Sequence, residues 1–205
     1  MVELSFRLEG VEAARFAATP LLNFRLRVES DRPVHSIALH CQIRIEPARR
    51  RYRESEQRRL LDLFGEPGRW NQTLHSMLWT HANLVIPAFR ESTLVDLPAP
   101  CTFDFNVASA KYFGGLEGGE VPLTLLFSGT VFFDGDDGSL RVTQIPWSKE
   151  AEFAMSVAVW KEMMDLYYPN IAWLCLRRDV FDRLHQYKIE RGIPTWEQTV
   201  ESMLP

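Results

Sequence analysis

Cysteine is scarce in this chain: three among 205 residues, Cys41, Cys101 and Cys175, odd in number and far apart. No Cys-x-x-Cys pair and no Cys/His spacing of a zinc site occurs. Neither a disulfide framework nor a metal centre is therefore expected, and the thiols read as free and buried. Long apolar runs are missing too. None approaches the roughly 18–20 residues that a spanning helix requires, so no membrane span is expected. The opening MVELSFRLEG alternates charged and apolar residues and lacks the basic head and apolar core of a signal peptide. These absences together lead us to expect a cytoplasmic protein. Lysine is rare as well, four residues against nineteen arginines, and the formal net charge of −4 argues against nucleic acid as a partner.

What is present is ordinary globular material: 46% hydrophobic, 12% aromatic and 24% charged residues. A chain of this length buries about 70% of the surface its unfolded form exposes, so it can stand without staples. The first two-thirds carry the period of strands. Val2–Leu8 alternates Val2, Leu4, Phe6 and Leu8 with polar residues; Leu22–Glu29 does the same; His35–Glu46 places Ile37, Leu39, Cys41, Ile43 and Ile45 on one face. Successive side chains of a strand point to opposite faces, so each segment buries one face and wets the other, the mark of an antiparallel sheet. Ser30-Asp31-Arg32-Pro33 supplies turn residues, and the second and third segments are expected to form a hairpin. Thr93–Leu97 and Phe103–Val107 follow as strands around the breaker Pro98-Ala99-Pro100. Val121–Phe133 is a long apolar stretch with a bend at Ser128-Gly129, letting it pass between sheets, and Asp134–Gly138 turns into a last strand, Leu140–Ile145.

The predicted fold class is α+β: an antiparallel β-sandwich, immunoglobulin-like or similar, with a short helical insert and a packed C-terminal helical third. The sandwich is expected over residues 1–147, with the insert at about 55–80. Ser55–Phe64 reads as a helix opened by a Ser cap, and Trp70–Trp79 as a second short helix or irregular cover. Residues 148–205 form the helical part. Phe153, Val157, Trp160 and Met164 recur at helical spacing up to Pro169, Asp179–Arg191 ends at Gly192, and Thr195-Trp196-Glu197-Gln198 is a capping box.

No catalytic constellation emerges, and a non-enzymatic role is the preferred expectation. Arg49, Arg50, Arg51 and Arg53, with Arg58 and Arg59 beyond, form an arginine segment suited to bidentate recognition of a protein surface rich in carboxylates. These four arginines are expected on an exposed rim, with Trp70 and Trp79 as further interaction residues because aromatic side chains anchor protein interfaces. The alternative is a small-ligand-binding protein or enzyme with a pocket between the sandwich and the C-terminal helices. Cys101, Asp104, Lys111, Tyr112 and Trp147 are its candidate lining. A metal is not expected, although His75 and His81 with a cysteine are the residues that would have to supply one. No cofactor is expected either.

One set of segments adds a resemblance: Pro87-Ala88-Phe89, Leu97-Pro98-Ala99-Pro100-Cys101-Thr102-Phe103-Asp104-Phe105, Ala110-Lys111-Tyr112-Phe113, Val121-Pro122-Leu123, Leu126 to Val131, Ile145-Pro146-Trp147, Trp160 to Asp165, and Thr195-Trp196. With these the chain resembles, over nearly its whole length, a bacterial family catalogued only as a domain of unknown function, whose members are often met near genes for uptake-type NiFe hydrogenases. The resemblance implies an accessory role toward a protein partner, hydrogenase subunits or maturation factors, and carries over no catalytic residue.

Overall fold

The structure, a computed structural model, describes residues 2–102, 104, 107–135, 137–171 and 174–204. Two compact units divide the chain, Met1–Ala172 and Trp173–Pro205. The boundary falls well beyond residue 148, because the segment after it returns to the sheet before turning helical.

Eight strands are seen among the described residues. β1 (Leu4–Ala13), β2 (Leu21–Ser30) and β5 (Ser92–Pro100) make one antiparallel sheet in the order β1-β2-β5. The other sheet runs β4-β3-β6-β7, from β3 (Val34–Ile45), β4 (Met77–Ile86), β6 (Glu120–Asp134) and β7 (Leu140–Gln144). β8 (Glu150–Ser156) also pairs with β6, along its first half. Strands distant in sequence thus lie side by side, β2 with β5 and β3 with β6, which is the Greek-key habit of immunoglobulin-like sandwiches. The sheets pack through their apolar faces: Phe6 stacks on Phe127 at 4.4 Å, and Phe24 meets Trp79 and Phe153 edge-on at 6.2 and 5.9 Å. Phe24, Leu26, Ile37, Ile43 and Leu125 are wholly buried there.

Several expectations about local structure are corrected. β2 and β3 are not a hairpin; the Ser30–Pro33 turn carries the chain from one sheet to the other. β5 runs straight through Pro98 and Pro100, which face Asn23 and Leu21 of β2. β5 is an edge strand, where prolines with no N–H to donate are tolerated. β6 stays in one sheet instead of passing between two. At Gly129 its outer neighbour changes: Phe127 N donates to Lys149 O on one side, and Ile145 N donates to Gly129 O on the other. Gly129 has φ of +141°, and a Cβ there would lie 2.1 Å from the carbonyl oxygen of Ala38 on β3, so no other residue fits. The strand expected at Phe103–Val107 falls partly outside the described residues, at Phe103, Phe105 and Asn106; Thr102 and Asp104 beside them are not in a strand.

Seven α-helices are seen among the described residues. The insert between β3 and β4 holds α1 (Glu54–Arg59), α2 (Leu61–Phe64) and α3 (Trp70–Thr73), all short. α4 (Ala108–Gly115) precedes β6, and α5 (Val157–Tyr167) follows β8. α5 buries Val157, Trp160, Met163 and Met164 toward β1 and β2, with Trp160 stacked on Phe113 at 5.2 Å. In the second unit, α6 (Arg178–Glu190) leads through Gly192, at φ +63°, to α7 (Trp196–Glu201). Thr195 caps α7 by accepting from Gln198 N, as its capping box predicts.

Candidate functional site

The arginine segment leaves β3 at Ile45, makes one 3-10 turn over Pro47–Arg49, and runs extended into α1. Alternation along the extended stretch decides which side chains enter and which stay out. Arg50 goes in. Its guanidinium donates to the carbonyls of Gly118 and Glu120 at 2.8 and 3.0 Å and pairs with Glu56 at 2.7 Å. The two side chains are only 7% and 2% exposed. Glu56 in turn accepts from Glu117 N at 2.9 Å and from Arg53 N at 3.0 Å. This places Glu56 at the third position of α1, where its carboxylate closes a capping box on Arg53; the expected Ser55 cap is not the one used. Arg50 also lies over the ring of Tyr52, 5.4 Å from its centre. The Tyr52 hydroxyl is within bonding distance of Tyr112 Oη, 2.9 Å, and of the Pro47 carbonyl, 2.8 Å. Burial pushes the Tyr52 phenol up to about 12 and that of Tyr112 higher still.

Arg50 is therefore no rim residue. It is the polar bolt that ties the insert to the loop before β6. Trp70 and Trp79, expected at an interface, are corrected with it. Both are buried, Trp70 against Tyr52 and Phe64 with its indole donating to Gly65 O, and Trp79 between Phe24 and Phe113. An anchor for a partner must be reachable, and these serve the core.

Outside that buried tier lies an exposed one. Arg49 makes a bidentate pair with Glu152 of β8 at 2.8 and 2.9 Å. Arg51 is exposed. Arg53 and Arg59, 77% and 55% exposed, approach the single carboxylate of Glu117 at 3.5 and 3.6 Å. A hydrogen bond from Ser55, together with these two guanidinium groups, holds the Glu117 carboxyl below the usual carboxylate range. Beside Arg59 is a hollow of about 290 Å³ lined by Arg59, Asp62, Lys111, Gly114 and Gly115. Lys111 projects from α4 to pair with Asp62 of α2 at 2.6 Å. α4 can approach the insert this closely because Gly115 has no Cβ, which would meet Leu60 at 2.6 Å.

The five candidate pocket residues are not brought together. Tyr112 is wholly buried. Cys101 sits beside the start of β2, where its N–H donates to Pro20 O, and burial pushes its thiol up to about 12. A thiol so far from ionising is a poor nucleophile. Trp147 is 91% exposed between β7 and β8, next to Lys149, whose ammonium pairs with Glu3. Glu3 adjoins the far end of β2, so the length of that strand, about 30 Å, separates Trp147 from Cys101. Asp104 is half-buried, its N–H donating to Thr102 Oγ1. Of the five, Lys111 lines the hollow beside Arg59. His75 and His81 are both exposed, His81 paired in register with Gln42, and among the described residues no group of three or more His, Cys, Asp or Glu is placed to hold a metal. No helix among them is long and apolar enough to cross a membrane.

The unit Trp173–Pro205 presents a different surface. Phe181, His185 and Trp196 stack within 6.1 Å of one another, with the Lys188 ammonium 5.6 Å from the Trp196 ring. On another side of α6, Val180, Leu184, Tyr187 and Met203 line an open hollow of about 300 Å³ with Arg183 at its edge. α6 has no buried residue. Trp173 lies outside the described residues.

Glu56, Glu117 and Asp62 complete the arginine corner. Glu56 carries a readable signal, its capping-box position three residues after Arg53, and Asp62 lies in the same helical stretch as Arg59; Glu117 arrives from a segment whose approach no local pattern reveals. No curated protein matches the chain. Its sequence does match one family over residues 1–205, and the chain belongs to that family, the family of unknown function DUF6084.

Proposed function

We propose that this protein is a non-enzymatic accessory factor that works in the cytoplasm by binding a partner protein, with hydrogenase subunits or maturation factors as the partner. The observation that carries the reading is the open apolar hollow of the helical pair, lined by Val180, Leu184, Tyr187 and Met203. Helices in a finished protein turn such a stripe against a neighbour, and exposed apolar patches with polar rims mark sites of association. The hydrogenase partner comes from the resemblance described above and supplies the identity to test. Affinity capture from the source organism should retain hydrogenase subunits or maturation factors, and Leu184→Glu, which puts a charge into the hollow, should release them. No retained partner, together with normal hydrogenase maturation after deletion of the gene, would overturn the reading.

A further inference from the structure

We infer that the exposed tier of the arginine corner is a docking surface for an acidic segment of a partner protein, whose carboxylates take Arg53 and Arg59 from Glu117 and reach Lys111 across the adjacent hollow. The inference goes beyond the reading above, since it involves neither helix of the C-terminal unit.

Three observations carry it. Charge is distributed unevenly: residues 47–69 hold seven arginines and four carboxylates in a chain whose net charge is −4. One arginine of the seven, Arg50, is consumed inside by Glu56, and Arg49 is held by Glu152. The remaining cations are incompletely served. Arg53 and Arg59 share one carboxylate at 3.5 and 3.6 Å, beyond the 2.7–3.2 Å of a good N–H···O bond, so neither makes a close bidentate pair with it and donors of both planar forks are left over. Finally, the row ends in a hollow of about 290 Å³ with Lys111 and Arg59 on its walls, room for a side-chain carboxylate.

Glu117 and Asp62 show what fits: single carboxylates, each set against the cations of neighbouring elements. An acidic peptide replaces them one for one. A nucleic acid or an anionic membrane would instead spread its charge over a wider area, where the rest of the chain is net negative and repels it. The internal carboxylates thus act as stand-ins that the partner must displace, which makes a specific prediction about removing them.

The test titrates the full chain with a fluorescently labelled oligoglutamate peptide at low ionic strength, read by anisotropy. The wild type should bind. Arg53→Gln with Arg59→Gln and Lys111→Gln should weaken binding about tenfold or more, since each removes one exposed ion pair with the peptide. Glu117→Gln and, separately, Asp62→Asn should tighten it severalfold, an outcome that loss of fold cannot imitate. Arg7→Gln, which removes one exposed charge from β1, should change little, and so should Leu184→Glu, which separates this surface from the helical hollow. The inference is overturned if the wild type fails to bind, if the triple variant binds as well as the wild type, if neither carboxylate variant tightens binding, or if an oligonucleotide or phosphatidylserine vesicles bind more tightly than the peptide.

Discussion

The sandwich and the C-terminal helical pair draw on the same kinds of side chain and end in different states. In the sandwich, Phe24, Ile43, Leu97, Tyr112 and Leu125 are sealed from water, and rings from facing sheets touch. In the helical pair, Phe181, Ile189, Trp196, Val200 and Met203 all stay exposed, and Thr199 is the residue most completely buried there among those described. Size explains the difference. A unit of fewer than about 40 residues cannot close a core around itself and needs a staple, a metal or a neighbour. The sandwich solves that problem within its own two layers. The helical pair does not solve it with its own residues.

The largest effects should fall where the comparison is sharpest. Phe24→Ala should cost the sandwich about 3–5 kcal/mol, because the ring is buried between the sheets and its loss leaves a cavity. Trp196→Ala should leave that transition where it was. Thermal unfolding followed by near-ultraviolet circular dichroism measures both, and equal losses would show one cooperative unit in place of two. Arg50→Ala should come close behind. It strands the buried Glu56 carboxylate without its cation, a change that costs about 3–5 kcal/mol and lowers the melting temperature by roughly 10 °C. A melting temperature within a degree or so of the wild type would mean that the corner is not bolted as described.

A moderate effect is expected from pH. Burial pushes the thiols of Cys41 and Cys101 up to about 12 from an ordinary 9, and the Tyr52 phenol up to about 12 from 10. The folded state holds these protons more tightly than the unfolded chain does. Their contribution is therefore complete below pH 9 and is lost as the pH rises from 9 to 12. The urea midpoint of the sandwich should fall across that window, and Cys41→Ser with Cys101→Ser should delay the onset to about pH 10, where Tyr52 takes over. An unchanged onset in the double variant would remove the cysteines from the account. The smallest effect belongs to the rim. Arg51→Gln with Arg53→Gln should cost about 1 kcal/mol or less, since both side chains are exposed. A differential-scanning trace that moved as far as that of Arg50→Ala would erase the distinction between the two tiers.

How much of this the sequence reveals depends on whether a segment's surroundings are local. β1, β2 and β3 declare themselves because one face of each turns to the core, buried along β2 and from Ile37 along β3, and covered at Leu4, Phe6 and Leu8 of β1 before its register shifts, so alternation follows. β4 hides because a register irregularity opposite Ile43 and Arg44 leaves Trp79 out of step with the inward series Ala82, Leu84 and Ile86, so the alternation breaks partway along the strand. β8 hides for the opposite reason. Phe153 on the strand and Val157, Trp160 and Met164 on α5 happen to continue one helical spacing, and only pairing with β6 breaks the run in two. α4 is short and ends in two glycines, which read as a loop. At the arginine corner, composition singles out the right segment but not which arginine turns inward. That choice is made by Glu56 and by the carbonyls of Gly118 and Glu120, which are delivered from about seventy positions away.

The change of partner at Gly129 has a consequence for how the protein behaves in company. A long, unbroken outer strand is an invitation: its unpaired backbone groups can template another chain and start an aggregate. Here the outer border of β6 is covered by two short pieces, β7 and β8, with Pro146 and the exposed Trp147 between them, so a foreign strand finds no continuous ladder to climb. The opposite sheet is guarded by other means, through the two prolines of β5. The borders at β6 and β5 are thus interrupted where a neighbouring chain would zip on, which leaves β1 and β4 as the other edges of the two sheets.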